Sequence, residues 1–209
     1  MPVNQDDPRV RKTRRGLQDA FVRLILRKGY DAVSIQDIAT EADAARVTFY
    51  RHYHDKEELL TDCLNTLYED LAQKTERISS AGLLSGYSPV SVLYTHIEEH
   101  ETLYRILFSS RGSQTVNERL RHHLASHAIS SIEAFISKEN LPVPIEILAY
   151  HTTSAQIGMA IWWLDHNKPY PAQYMAQISL WLSLTGLIRV FGINFEPPIP
   201  PRPGDERAL

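Results

Sequence analysis

The chain has 209 residues, 43% of them hydrophobic and 22% charged, with a formal net charge of −3. No apolar run approaches the ~20 residues that a membrane-spanning helix needs, and the N-terminus is charged rather than signal-like, so a soluble, cytoplasmic protein is expected. The single cysteine, Cys63, allows neither an intramolecular disulfide nor a cysteine cluster for zinc, and its helical setting reads as that of a buried packing thiol.

Met1 to Pro8, short and polar with two prolines, reads as a disordered arm. From Arg9 the sequence RVRKTRRGLQDAFVRLILRKGY is helical, with Leu17, Ala20, Phe21, Leu24 and Ile25 at helical spacing and Gly29 placed to end it. Arg9, Arg11, Lys12, Arg14 and Arg15 crowd the start of this helix, where the dipole favours acids. Local stability does not explain them, whereas contacts to phosphates, or an arm reaching a minor groove, do.

Residues 34–56, SIQDIATEADAARVTFYRHYHDK, read as two short helices joined by a tight turn. Ser34 is placed to cap the first, with Asp37 three residues on, and Ile35, Ile38 and Ala39 form one apolar stripe. Glu41 to Ala44 make the turn. Ala45 to Arg51 make the second helix, whose exposed positions Arg46, Thr48, Arg51 and His52 are donors rather than acids. This is the shape of a helix-turn-helix, whose second helix normally lies in the DNA major groove. Charge agrees: residues 1–56 hold 11 Lys/Arg against 8 Asp/Glu, and residues 57–209 hold 11 against 17.

Asp55 is placed to cap a fourth helix, DKEELLTDCLNTLYEDLAQKTERI, with Leu59, Leu60, Cys63, Leu64, Leu67 and Leu71 on its buried face. Ser79 to Pro89 reads as a linker. The stretch SVLYTHIEEHETLYRILFSS suits one long helix or two broken near His100, Arg111 to Ser113 make a further break, and Thr115 to Lys138 form a helix closed by Asn140 to Pro144. Ile145–His166 and Pro171–Gly192 are two long apolar helices joined by residues 167–170, with no charge from Ala149 to Ala160 or from Ala172 to Ile188. Helices apolar on several faces need cover on several sides, and a partner chain is the cover expected. The tail EPPIPPRPGDERAL reads as extended or disordered.

Residues 11–60, with A-F at 20–21, G-Y at 29–30, S-I-x-D-I-A at 34–39, T-F-Y-R-H-Y at 48–53 and D-K-E-E-L-L at 55–60, resemble the tetracycline-repressor-like (TetR) family of bacterial transcriptional regulators. The resemblance implies an all-α fold of about nine helices: a helix-turn-helix DNA-binding domain over residues 1–56, an effector-binding and dimerisation domain over 57–196, and a Pro-rich tail over 197–209. It implies a homodimer through the last two helices, a double-stranded DNA operator, and repression relieved by a small apolar or aromatic effector. Activation, or a C-terminal domain that docks a protein, are the alternatives. LYRILF and IWWLDHNKPY are further similar to the C-terminal domain of some TetR-like proteins related to activators of dihydroxyacetone kinase operons.

Carried onto this chain, the resemblance places Arg46 and Thr48 near bases or phosphates and makes Tyr50 and Lys56 phosphate contacts. Physical chemistry supports Arg46 as a base reader, because a guanidinium takes both acceptors of a guanine edge, and Val47 as a partner for a thymine methyl. Arg51 and His52 would add backbone contacts, and Arg11, Lys12, Arg15 and Ser34 complete the candidate DNA-binding set. Lys56, at a helix N-terminus, is placed to grip a phosphate together with free backbone N–H groups. Two departures from the family pattern stand out: Asp43 where the turn usually has Gly, and Ala45 and Val47 where a capping residue and a small residue are common.

Tyr104, Phe108, Tyr150, His151, Trp162 and Trp163 are the candidates for an effector cavity between helices, where Tyr94 is a further aromatic. Two histidine pairs, His96/His100 and His123/His127, have the i,i+4 spacing that supplies two metal ligands. Without a carboxylate or cysteine pattern to complete a ligand set, no metal site is expected. No Ser sits in a G-x-S-x-G turn, no catalytic constellation stands out, and neither an enzyme nor a cofactor is expected.

Overall fold

The computed structural model describes residues 8–76, 88–109, 114–133, 141, 143–190, 199–201 and 203. Among them are nine helices and no strand: α1 Pro8–Lys28, α2 Ile35–Glu41, α3 Arg46–Tyr50, α4 Lys56–Glu76, α5 Pro89–Glu99, α6 Glu101–Leu107, α7 Gln114–Glu133, α8 Ile145–Asp165 and α9 Ala172–Val190. The all-α expectation holds. No helix among the described residues is long and apolar enough to cross a membrane. The chain divides into two compact units, residues 1–67 and 68–209, with α4 contributing residues to both.

The first unit is built from short-range signals. Pro8 opens α1, where its missing N–H is no loss, so the helix starts one residue earlier than the arginine run suggests. It ends at Gly29, whose φ of +78° suits a residue without Cβ and whose N–H donates to the Ile25 carbonyl at 2.8 Å. Ser34 and Asp37 form a complete capping box on α2. Asp43 takes the left-handed conformation, φ +51°, that the turn requires. Asp55 Oδ1 accepts the Glu58 N–H at 2.7 Å and so caps α4. The buried residues of α1, Leu17, Ala20, Phe21, Leu24 and Ile25, share this core with Ile38, Ala39, Phe49, Tyr53, Leu59, Leu60, Cys63 and Leu64. Each large side chain buried there contributes about 1.5–3 kcal/mol. Cys63 is buried and its thiol is pushed up to about 12 by desolvation, so it packs as a neutral group.

In the second unit, Ser88 and Ser91 form a capping box on α5 with Pro89 at its first position. The helical stretch breaks at His100, which closes α5 and precedes α6. α5 packs against α9, α7 against α8, α8 against α9, and α6 touches α5 and α8. Ile132, Ile145 and Leu148 form one buried cluster, with Ile129, Leu141 and Val143 packed on it. Asn167 and Lys168 make the turn between α8 and α9, both at positive φ. The arm before Pro8, most of the expected linker, the break at 111–113, the end of the Thr115–Lys138 helix and most of the tail lie outside the described residues.

Candidate nucleic-acid interface

Helix α3 has one anchor and one free face. Phe49 is fully buried, with the Tyr50 and Tyr53 rings at 5.6 and 5.7 Å. Arg46, Val47, Tyr50 and Arg51 face outward, and Thr48 is half-buried. Val47 is 67% exposed and Tyr50 46%, so Tyr50 is a surface ring rather than core. The Arg46 guanidinium lies over that ring at 5.5 Å and donates to its hydroxyl at 3.2 Å, an i,i+4 pairing that holds both side chains along the free face. Ala45 caps α3 without a side-chain hydrogen bond, so its first N–H groups gain no partner from that residue.

The two acids of α2 are occupied elsewhere. Glu41 takes Arg23 at 3.0 Å and also Arg27, which hold its carboxyl below the usual range. Asp37 pairs with Lys28 at 2.8 Å, and Lys28 first, then Ser34, keep it ionised to unusually low pH. Ser34 is exposed and spent on this cap. The acids of α2 are thereby matched to cations of α1, while the cations of α3 project outward. Desolvation, then Arg14 and Arg51, lower the His52 pKa, so its imidazole is a neutral group.

The basic cluster of α1 divides. Arg11, Lys12 and Arg15 are exposed, whereas Arg14 turns inward, donating to Asp62 at 2.6 Å and to the Tyr53 hydroxyl at 3.4 Å. Gln18 reaches the other Asp62 oxygen at 2.9 Å. Burial, then Asp62, drive the Tyr53 hydroxyl above the ordinary phenol range. Lys56 is likewise engaged by the protein: its ammonium donates to the carbonyls of Tyr30 and Val33, both at 3.3 Å, and sits 4.5 Å from the Tyr30 ring. It therefore ties the loop between α1 and α2 to the start of α4. No local pattern announces either engagement, because the partners lie 23 to 48 positions away.

The six candidate effector residues go to different places. Tyr104 is buried, its hydroxyl 2.8 Å from His96 Nδ1, and the Phe108 ring lies 5.7 Å from it. Trp163 is fully buried against Tyr94 and donates from Nε1 to the Tyr170 carbonyl at 2.8 Å. Tyr150 and His151 line an open groove on the outer face of α8 with Glu146, Ile147 and Ser154. Trp162 is 43% exposed and stacks on His166. The hydroxyls of Tyr94, Thr153 and Ser179, from α5, α8 and α9, are buried, those of Tyr94 and Ser179 beside each other. The His96/His100 pair meets Asp70, a carboxylate 26 positions before His96.

Two family profiles match the chain: bacterial regulatory proteins, tetR family, over residues 17–63, and the transcriptional regulator C-terminal region over residues 90–183. An uncharacterized HTH-type transcriptional regulator of Haemophilus influenzae is 29% identical over 204 residues, covering 88% of this chain and 94% of the relative. The uncharacterized HTH-type regulator YxbF of Bacillus subtilis is 26% identical over 181 residues, covering 83% of this chain; the chain spans only 45% of that relative's length. A crystal structure of a TetR-family regulator from Syntrophomonas wolfei superposes with a TM-score of 0.67 at 19% identity, covering 85% of this chain and 96% of the other.

Proposed function

The chain belongs to the tetracycline-repressor family of bacterial transcriptional regulators, and from that premise we propose that it is a homodimeric repressor that occupies a DNA operator and leaves it when a small apolar or aromatic molecule binds. The observation that carries the DNA-reading part is the free face of α3, where Arg46, Val47, Tyr50 and Arg51 project from a helix anchored by Phe49. Arg46 reads a base edge, Val47 meets a thymine methyl, and Thr48, Tyr50 and Arg51 contact the backbone with Arg11, Lys12 and Arg15 from α1. Lys56 positions the α1–α2 loop through its two carbonyl bonds and offers its remaining N–H to a phosphate. Repression is favoured because it needs only occupancy of the DNA, whereas activation needs an additional contact with the transcription machinery.

The dimer through α8 and α9 is supported by the outward Ile147, Tyr150, Trp162 and Leu182. Two subunits would set their α3 helices one DNA turn, about 34–36 Å, apart. The buried hydroxyls of Tyr94, Thr153 and Ser179 are polar groups an effector would meet inside the bundle. Such an effector acts by binding one conformation of the dimer better than the other.

The test is a mobility shift on the DNA upstream of the protein's own gene, and on other promoters if that fails, across a salt series with a random duplex as control. Specific binding with a steep salt dependence is expected, and Arg46→Ala loses about 10- to 100-fold on the operator while keeping non-specific binding. An Arg46→Ala protein with undiminished sequence preference overturns the residue assignment. A wild-type protein that prefers no promoter sequence overturns the reading itself.

A further inference from the structure

We propose that Asp70, His96 and His100 form a binding site for a divalent first-row transition-metal ion of the zinc class. The site goes beyond the regulator reading and does not depend on it. His96 and His100 stand one turn apart at the end of α5, their ring centroids 4.5 Å apart, and Asp70 reaches them from α4. Asp70 Oδ2 is 3.0 Å from His96 Nε2 and 3.8 Å from His100 Nε2, and the three ligand atoms lie within 4.8 Å of one another. Zinc–ligand distances of about 2.0–2.2 Å place the corners of a tetrahedron about 3.4 Å apart, so shifts below an ångström close the set.

The surroundings suit an ion. The His96 side chain is fully buried, and its second nitrogen, Nδ1, is 2.8 Å from the Tyr104 hydroxyl. That outer contact fixes the ring so that Nε2 faces Asp70, which is how a metal-ligating imidazole is commonly oriented. Without metal, Nε2–H donates to Asp70 and Nδ1 accepts from Tyr104; with metal, the ring proton sits on Nδ1 and the Tyr104 oxygen accepts it. Ligation takes the neutral imidazole of each histidine. Two imidazoles and one carboxylate favour zinc-class ions over magnesium or calcium. Three protein ligands leave a position open to water or to a small ligand.

One group competes with the ion. The Lys74 ammonium is 3.0 Å from the same Asp70 oxygen and 3.1 Å from Glu99. Its side chain is half-exposed and keeps Glu99 as a partner when it leaves Asp70, so an arriving dication displaces it without stranding a charge. The His123/His127 pair has the same spacing and a similar ring distance of 4.6 Å. Its His123 Nε2 lies 2.7 Å from the Thr75 hydroxyl, and among the described residues no third ligand joins that pair.

The experiment titrates tag-free, chelator-treated full-length protein with Zn2+ in a calorimeter and with Co2+ by visible absorption. One ion per chain is expected, with a tetrahedral cobalt spectrum. His100→Gln and Asp70→Asn should each weaken binding tenfold or more, His123→Gln should leave it unchanged, and Lys74→Met should strengthen it severalfold by removing the competitor. Thermal melts confirm that each variant is folded. Absence of a stoichiometric ion, or binding that survives both His100→Gln and Asp70→Asn, overturns the proposal. So does a Lys74→Met protein that melts lower and binds no ion, because the cluster is then an ion-pair network alone.

Discussion

Residues 8–67 and residues 68–190 dispose their polar groups in opposite ways. In the first unit Arg14 turns inward to Asp62, but the other pairs lie outside the core, Lys28 with Asp37 and Arg23 and Arg27 with Glu41, and what is left over is the cationic face of α3. In the second unit polar groups are buried, His96 on Tyr104 and Asp70, and the Tyr94, Thr153 and Ser179 hydroxyls in the interior, while Ile147, Trp162 and Leu182 face outward. A unit that must meet a polyanion keeps its chemistry on the surface. On the proposed function, a unit that holds another copy of itself and a small molecule places apolar groups outside and polar groups within. Candidate chemistry lies with outward side chains in the first unit, and with buried hydroxyls and imidazoles in the second.

The adjacent tryptophans of α8 separate buried from outward side chains by the largest effect. Trp163 is 0% exposed against 43% for Trp162. Trp163→Ala removes a buried ring and its hydrogen bond to the Tyr170 carbonyl, so a loss of about 3–5 kcal/mol is expected in denaturant unfolding. Trp162→Ala should cost less than about 1 kcal/mol in the isolated chain while weakening self-association in sedimentation experiments. Equal losses in the two variants would mean that α8 has no outward face to offer a partner.

The adjacent arginines of α1 show the same contrast with a smaller effect. Arg14→Ala leaves Asp62 without its cation and should lower stability by about 1–3 kcal/mol, since the pair is only partly exposed. Arg15→Ala should change stability by less than about 0.5 kcal/mol and flatten the salt dependence of DNA binding by about one unit of slope. A melting temperature that falls for Arg15→Ala and not for Arg14→Ala would reverse the assignment.

Both pairs also mark what can be read from the sequence. The capping box of Ser34 and Asp37, the Gly29 stop and the Asp55 cap are legible because each partner lies within four residues of the other. The all-α architecture and the outward face of α3 follow from such local signals. Arg14 and Arg15 have the same chemistry and differ only in which one meets Asp62, 48 positions along the chain. Trp162 and Trp163 differ only by the rotation of a helix that is apolar on most sides, where periodicity carries no direction. For the same reason six aromatic candidates for one cavity separate into buried rings and an outer face. The histidine pairs were visible as spacings, but the carboxylate that distinguishes them comes from another helix, as do the carbonyls that occupy Lys56.

Asp43 offers the smallest effect and the finest separation of the two roles a residue of the reader can have. Its φ of +51° is a conformation that costs a side chain little when it is Asp and nothing when it is Gly. Asp43→Gly should therefore change stability by at most about 0.5 kcal/mol, because relief of the backbone is offset by the greater entropy of the unfolded glycine. The charge is a separate matter: an exposed carboxylate one turn ahead of Arg46 opposes the phosphates that α3 is proposed to approach. Asp43→Asn keeps the tolerance for positive φ and removes only the charge, so it should leave the melting temperature unchanged and tighten DNA binding severalfold at low salt, with the gain fading as salt rises. If Asn and Gly both tighten binding equally, charge alone is responsible. If Asn has no effect at low salt, the turn lies outside the field of the DNA, and α3 must approach the groove from its Tyr50 end rather than from Arg46.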